Sequence, residues 1–142
     1  MTDERTAPYA IALLRISQGV LFLAHGAILK LGIFGLAGTM GFFGSLGYPP
    51  ALGAVVILAE ILGGLALVAG VAVRWVSPGL LPLMLGAALQ HAGNGWLFSG
   101  VGGGWEFPVF WAVALLVQAG LGAGAWALDA GRLGRAKQPV AA

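Results

Sequence analysis

Few residues of this sequence could do chemistry, because only 8% of its 142 residues are charged and none is a cysteine. The strongly polar side chains that interrupt its long apolar stretches are Arg15, Gln18, His25, Glu60, Gln90, His91, Asn94 and Gln118. A charge in the middle of a helix in lipid costs roughly 2.5–3.5 kcal/mol on insertion scales. A partner or a function is therefore expected for these residues.

A quinone is one ligand that these residue types fit. The candidate ligand-binding residues are His25, Glu60, His91, Asn94 and Trp96. The imidazoles and the amide can donate to quinone carbonyl oxygens, and the indole can form an aromatic wall. Glu60 and Glu106 are candidate carriers of the proton that accompanies quinone reduction. The alternative reading of the two histidines is a pair of interhelical hydrogen bonds that fix packing.

A metal ion is the less favoured ligand. The candidate metal ligands are His25, His91, Glu60 and Glu106, which offer the nitrogen and oxygen atoms that zinc, iron or copper accept. No closely spaced pair such as His-x-x-x-His occurs, however. The lack of cysteine excludes a thiolate-ligated iron–sulfur cluster within this sequence.

Two further polar residues have structural interpretations. Arg15 is expected to pair with a carboxylate or with helix carbonyls, or to reach the cytoplasmic surface. Gln118 is expected to form a hydrogen bond between helices.

The elements that must position these residues are membrane helices. The sequence is 59% hydrophobic with a mean hydropathy of +0.94, whereas soluble domains are nearer 45–50% apolar. Four stretches reach the roughly 20 apolar residues that a membrane-spanning helix needs: 9–31, 51–73, 77–98 and 108–128. We therefore predict an all-α, integral membrane four-helix bundle over residues 9–130, between a short tail at 1–8 and a basic tail at 131–142.

The connections between these helices differ in character. Residues 33–48 are apolar but rich in glycine, so they are expected to lie in the interface or to re-enter the membrane. Trp75-Val76-Ser77-Pro78 predicts a tight turn between the second and third helices. Residues 99–106 form a glycine-rich loop. No basic patch with interleaved aromatic residues occurs, so no nucleic-acid partner is expected.

The positive charges predict the orientation of the bundle. Arg5, Arg74, Arg132, Arg135 and Lys137 fall on one side, whereas Lys30 falls on the other. Both termini are therefore expected to be cytoplasmic, with the two longer loops facing outward.

Antiparallel threading of the four helices predicts a common depth for distant polar residues. At 1.5 Å per residue, His25 and His91 lie roughly 9–10 Å below the outer helix ends. Glu60 and Gln118 lie roughly 14 Å below them by the same count. The sequence therefore predicts one polar pocket that opens outward, with Arg15 apart from it near the cytoplasmic end.

Ordered short motifs along nearly the whole chain resemble the DoxX family of small bacterial membrane proteins. They are Leu14-Arg15-Ile16, Gly19, Phe22-Leu23-Ala24-His25-Gly26, Lys30-Leu31, Phe42-Phe43, Gly47-Tyr48-Pro49, Glu60, Gly63-Gly64, Gly70, Arg74, His91, Gly95-Trp96, Glu106 and Leu128-Asp129. The resemblance implies a multi-pass, four-helix protein of the bacterial inner membrane. It also implies an association with redox complexes, since some members are subunits of a thiosulfate:quinone oxidoreductase.

The function expected from residues and resemblance together is a membrane subunit of a respiratory-type or sulfur-linked redox system. Such a subunit would bind a quinone in the outward pocket and would not be catalytic alone. Its partners would be the lipid bilayer and either further copies of the chain or another redox subunit. The first alternative is a non-catalytic anchor or assembly partner for another protein, and the second is a pathway for a small solute or ion.

Overall fold

The computed structural model describes residues 3–128, and this range is all-helical, which confirms the predicted class. It contains five α-helices: α1 (Ala7–Leu23), α2 (Gly35–Ser45), α3 (Ala51–Ala69), α4 (Val73–His91) and α5 (Glu106–Leu121). The helix of α1 continues as a π-helical segment, Ala24–Ile33, and α4 continues as a 3₁₀ turn, Ala92–Asn94.

The four long helices pack as a closed ring. The contacts run from α1 to α3, from α3 to α4, from α4 to α5 and from α5 back to α1, and α2 packs on α3 and on the π-helical segment. The buried core between these helices consists of Phe22, Leu67, Val73, Leu80, Met84, Trp111, Ala112 and Leu115. Most other large apolar side chains are exposed on the outside of the ring.

Glycine allows α1 and α3 to approach each other closely. A Cβ atom added to Gly19 would lie 2.8 Å from the carbonyl oxygen of Gly64, and one added to Gly64 would lie 2.9 Å from the carbonyl oxygen of Gly19. Both values are too short for real Cβ contacts, so any larger residue would force the helices apart. This contact fixes the position of the polar face of α1 against α3.

Among the described residues, two helices are long and apolar enough to cross a membrane: Ala7–Ile33, which is α1 with its π-helical continuation, and α3. They contain most of the first two predicted spans. Glu106–Leu121, which is α5, is apolar but shorter.

The connection between α3 and α4 differs from the predicted turn. Gly70 ends α3 with a left-handed backbone (φ 73°), and Ala72 is left-handed as well (φ 48°). The helix α4 therefore begins at Val73, and Trp75–Pro78 lies inside it. A left-handed glycine ends a helix through its own backbone conformation, whereas Pro78 and Pro82 lie inside α4 without ending it.

The predicted third and fourth spans continue beyond the helices that contain them. The helix α4 ends at His91, and Gly95 turns the chain with φ 84°. Similarly, α5 ends at Leu121, where Gly122 has φ 84°. The segment 33–48, predicted to be interfacial or re-entrant, contains the helix α2, which packs on α3.

Residues 122–128 fold back across the ends of α1 and α3. The Ala125 N–H donates to the Pro8 carbonyl (2.8 Å), and the Leu128 N–H donates to the Ala69 carbonyl (3.1 Å). The rings of Tyr9 and Trp126 also meet, with centroids 5.2 Å apart. The basic tail at 131–142, with the charges used for orientation there, lies outside the described residues, as do residues 1–2 and 129–130.

Candidate functional site

Arg15 lies at the junction of α1, α3 and the returning segment 122–128. Its side chain is fully buried. One terminal nitrogen, Nη1, donates to the carbonyls of Leu67 (2.6 Å) and Val68 (2.8 Å), and Nη2 donates to those of Ala125 (3.0 Å) and Trp126 (3.4 Å). The carbonyls at the end of α3 carry the negative end of the helix dipole, which suits a cation. Of the partners expected from sequence, the helix carbonyls are the ones that Arg15 uses.

Gln118 forms a hydrogen bond between helices, as its position predicted. The Gln18 amide of α1 donates to Gln118 Oε1 of α5 (3.4 Å), and Gln118 in turn donates to the Gly122 carbonyl (2.6 Å). Both glutamines are buried. This pair therefore joins α1 to α5 and helps to fix the point where α5 ends.

Glu60 and Lys30 form an ion pair inside the protein. The Lys30 ammonium donates to both carboxylate oxygens of Glu60, at 2.7 and 2.8 Å. Glu60 is only 3% exposed and Lys30 is 20% exposed. The residue next to His25, Gly26, packs directly on Glu60, and Nδ1 of His25 donates to the Leu21 carbonyl (2.9 Å). These three side chains, called the charged triad below, form the first polar cluster.

His91 and Asn94 hold the loop that follows α4. Nδ1 of His91 lies 3.1 Å from the Gly102 carbonyl and 3.2 Å from that of Gly103, and the Asn94 amide donates to the Gly102 carbonyl (2.9 Å). Both residues therefore bond to main-chain carbonyls of the loop. Nearby, the Gln90 amide donates to the Tyr48 hydroxyl (2.6 Å), which ties α4 to the α2–α3 connection.

An aromatic cleft of about 360 Å³ lies where this loop meets α5. Its walls are Trp96, Phe98, Glu106, Phe107 and Phe110. The carboxylate of Glu106 accepts a hydrogen bond from the Phe98 N–H (2.9 Å) through one oxygen. The cleft thus offers four aromatic rings and one acidic group to a ligand, which suits a planar molecule with a polar edge.

A chain of ring contacts connects this cleft with His25. Phe107 of the cleft lies 5.5 Å from Trp111 between ring centroids, and Trp111 lies 5.3 Å from His25. Trp111 also contacts Phe22 at 4.4 Å. Within residues 3–128, the buried Trp111 indole nitrogen has no hydrogen-bond partner. It can therefore donate to a ligand or a water molecule that reaches it.

The predicted site residues therefore fall into separate clusters. Glu60 and His25 belong to the charged triad, Trp96 and Glu106 line the aromatic cleft, and His91 and Asn94 hold the loop beside that cleft. Gln118 belongs to neither cluster. The reason is that α4 ends at His91, which places the last residues of the predicted third span in the loop instead of the membrane interior.

The sequence reasoning missed two contributions to these clusters. Lys30 was used as a charge that orients the bundle and was not predicted to pair with Glu60, although its spacing of five residues from His25 fits one turn of a π-helix. Phe98, Phe107 and Phe110 were not singled out, although they flank the loop that carries Glu106. Their clustering around one acidic residue was the available signal.

The candidate metal ligands are not brought together. Nowhere in the described range 3–128 do three His, Cys, Asp or Glu side chains lie close enough to hold a metal ion. Glu106 bonds to Phe98, whereas Glu60 bonds to Lys30.

The comparisons with known proteins agree with the membrane character of the chain. The sequence model described as DoxX matches residues 10–93, which is more than half of the chain. No curated protein and no solved structure matches this chain. The matched region contains Arg15, the whole charged triad and His91. The chain therefore belongs to the DoxX family of membrane proteins.

Proposed function

We propose that this protein is a membrane subunit of a redox system and binds a quinone, or a similar planar molecule, in the aromatic cleft. The observation that carries the proposal is the composition of that cleft, in which four aromatic rings surround the single carboxylate of Glu106. Membership of the DoxX family, which is linked to redox-related membrane functions, supports it independently.

Each group of the cleft has a distinct role in this proposal. Trp96 and Phe107 stack on the faces of the bound ring, because aromatic pairs gain about 0.5–1.5 kcal/mol beyond area burial. Glu106 keeps one oxygen on the Phe98 N–H and offers the other to a hydroxyl of the reduced ligand. As a carboxylate it accepts a proton, and as a carboxylic acid it donates one to a quinone oxygen.

His91 and Asn94 act on this site as positioning residues. They bond to Gly102 and Gly103 of the loop, and this loop precedes Glu106. Their role is to hold the loop in place beside the cleft, since their polar atoms are engaged with main-chain carbonyls.

The electrons would come from a partner. Reduction of a quinone to a quinol takes up two electrons and two protons. The residues of the cleft can exchange protons with the ligand, but a redox subunit bound to this protein would have to supply the electrons. The proposal therefore includes a protein partner in the membrane or at its surface, and further copies of this chain remain the other expected partner.

We further propose that α1, α3, α4 and α5 all cross the bacterial inner membrane, with both termini in the cytoplasm. The closed ring of helices and its exposed apolar exterior support this arrangement. In this orientation the aromatic cleft opens on the outer side, because it lies in the loop between α4 and α5.

Ligand binding by the purified protein in lipid nanodiscs tests the proposal. A soluble short-chain benzoquinone is titrated, and its binding is measured by calorimetry. We expect saturable binding that Trp96→Leu weakens about three- to tenfold, which corresponds to the loss of one aromatic contact. Glu106→Gln keeps an oxygen for the Phe98 N–H but removes the charge, so it should preserve the fold and change the preference between quinone and quinol.

The matched control is Trp75→Leu, because Trp75 is 81% exposed and does not line the cleft. Equal affinities of the wild type and of Trp96→Leu would rule out the cleft as the binding site. No binding by the wild type, together with a protein partner that co-purifies in stoichiometric amount, would favour the role of anchor or assembly partner.

A further inference from the structure

We propose that His25, Lys30 and Glu60 form a proton-exchange site inside the protein, separate from the aromatic cleft. Within residues 3–128, Lys30 and Glu60 form the only ion pair, and Glu60 is almost completely buried. Ionisable groups inside membrane helices carry a large free-energy cost, and they pair with one another where protons or ions are exchanged. The inference does not depend on which ligand the aromatic cleft binds.

The π-helical segment is what brings His25 and Lys30 to the same side. In an α-helix, residues five apart would differ in direction by about 140°. A π-helix closes its turn between residues i and i+5, and the Phe34 N–H donates to the Leu29 carbonyl in this way (3.0 Å). His25 and Lys30 therefore lie one turn apart on one face. Such segments are rare and occur frequently at functional sites.

Close packing holds this face against α3. A Cβ atom added to Gly26 would lie 2.8 Å from the Cβ of Glu60, so only glycine permits this approach. On the other side, the buried Thr39 hydroxyl of α2 donates to the Lys30 carbonyl (2.9 Å). The triad is therefore built by contacts from three elements, namely the π-helical segment, α2 and α3.

The triad can take up a proton without a change in its ion pair. The Nδ1 atom of His25 is engaged with the Leu21 carbonyl. A neutral imidazole that donates through Nδ1 carries a free lone pair on Nε2. A hydronium ion that reaches Nε2 transfers its proton there: its O–H bond breaks, an N–H bond forms, and water and an imidazolium result. The nearby carboxylate stabilises the added charge. Loss of this proton to water restores the neutral ring.

Lys30 provides the connection to the surroundings. It is partly exposed, whereas its partner Glu60 is not. Transfer of a proton from Nζ to the carboxylate would turn the ion pair into a neutral amine and a neutral acid, with no change in net charge. The amine could then regain a proton from water, and the acid could release its proton to His25 or back to Lys30.

The charged groups around His25 are few, which makes the coupling specific. The groups that face it are Lys30 on its own segment and Glu60 on α3. The neighbouring part of α5 contributes Trp111, which does not titrate, and α2 contributes Thr39 to the triad. The charge state of His25 should therefore respond to the charges of Lys30 and Glu60.

Histidine-selective ¹⁵N NMR of the full chain in nanodiscs tests the proposal, since the sequence contains only two histidines. We expect the ¹⁵N signals of the His25 ring to change with pH, with a midpoint that responds to the charges of Lys30 and Glu60. Glu60→Gln and Lys30→Met should displace the midpoint in opposite directions, each by about tenfold in proton concentration, because they remove opposite charges. The ¹⁵N signals of His91 should be the same in all variants and serve as the internal control.

A double variant covers the case in which a single substitution prevents folding. Lys30→Met with Glu60→Gln replaces the ion pair by neutral side chains of similar size, and its midpoint should lie between those of the two single variants. The proposal is overturned if the His25 ring does not titrate in the wild type. It is also overturned if every single variant that folds has the same midpoint as the wild type.

Discussion

At the scale of single residues, the surroundings of Arg15 explain how a guanidinium is tolerated inside this protein. Its acceptors are main-chain carbonyls from two segments that are far apart in sequence. Carbonyls at the end of a helix have no intrahelical donors of their own. The Arg15 side chain thus donates hydrogen bonds to carbonyls at the end of α3 and also holds the segment 122–128 in place.

Replacement of Arg15 should therefore destabilise the fold. Arg15→Met removes the side-chain donor to four main-chain carbonyls and should lower the unfolding free energy by about 2–4 kcal/mol. Arg15→Lys should be intermediate, because an ammonium lacks the planar fork that reaches both segments. Denaturant unfolding in detergent micelles measures the difference, with the exposed Arg5→Met as the control. An Arg15→Met protein as stable as that control would contradict this account.

The ion pair of Lys30 and Glu60 predicts an asymmetry between its two partners. Lys30→Met leaves the Glu60 carboxylate, which is 3% exposed, without its partner. This substitution should lower the free energy of unfolding by about 3–5 kcal/mol. Glu60→Gln should cost less, because the Lys30 side chain is 20% exposed and can turn its ammonium toward water.

The double variant Lys30→Met with Glu60→Gln should recover much of the loss, since it leaves no buried charge. The unfolding free energies of the four proteins form a double-mutant cycle that measures the coupling. Simple additivity of the two single substitutions would show that the pair does not interact energetically.

At the scale of elements, the contact between α1 and α3 depends on paired glycines. Their backbones touch where Gly19 faces Gly64, and Gly26 touches α3 next to Glu60. The same contacts that bring the helices together therefore place Arg15 near the end of α3 and Lys30 near Glu60. Helix packing and the pairing of polar side chains therefore depend on the same contacts in this protein.

Enlarging Gly64 should separate these helices. Gly64→Val would clash with the Gly19 carbonyl and with Leu23, and overpacking of this kind costs about 1–3 kcal/mol. Gly86→Ala on α4 is the control, because a Cβ there has no neighbour within 4 Å. It should be neutral or stabilising, since alanine favours helix over glycine by about 1 kcal/mol. Equal unfolding free energies of the two variants would exclude the close contact.

The stability of the loop between α4 and α5 should depend on the side chains that form hydrogen bonds with its main chain. Asn94→Ala removes the hydrogen bond to the Gly102 carbonyl. Backbone amide exchange in residues 95–104 should accelerate up to about tenfold, which corresponds to one hydrogen bond of about 1 kcal/mol. Ser45→Ala removes a side-chain bond of α2 instead and should leave this loop unchanged. Unchanged exchange in Asn94→Ala would show that the loop is held by other contacts.

At the scale of the whole molecule, the proposed four crossings make a prediction about sidedness. The sequence contains no cysteine, so single cysteines can be introduced one at a time and labelled with an impermeant maleimide in intact cells. Ser45→Cys and Val101→Cys should react from outside, whereas Glu4→Cys should react only after the membrane is opened. Labelling of Glu4→Cys in intact cells would contradict the cytoplasmic amino terminus.

The sequence alone determined the class of this protein. Its apolar stretches predicted an all-helical protein of the membrane, and the ordered motifs around Arg15, His25 and Glu60 indicated the family that the comparison confirmed. Predictions from composition and motif order are not affected by errors in the predicted helix ends, because they do not depend on helix register. The candidate residues were also visible, since a polar side chain in an apolar stretch is conspicuous.

Only the tertiary structure decided which of these residues meet. A straight α-helix through His25 and Lys30 would point them apart, and the π-helical segment places them on one face beside Glu60. Glycines with positive φ at 70, 95 and 122 follow helical segments that hydropathy would have continued, and Asn94 lies in the 3₁₀ turn after α4. Hydropathy indicates whether a stretch of sequence prefers lipid or water. Which residues a side chain contacts depends on helix register and on the distance between helices. These two properties arise from packing, and packing gathered the predicted polar residues into separate clusters.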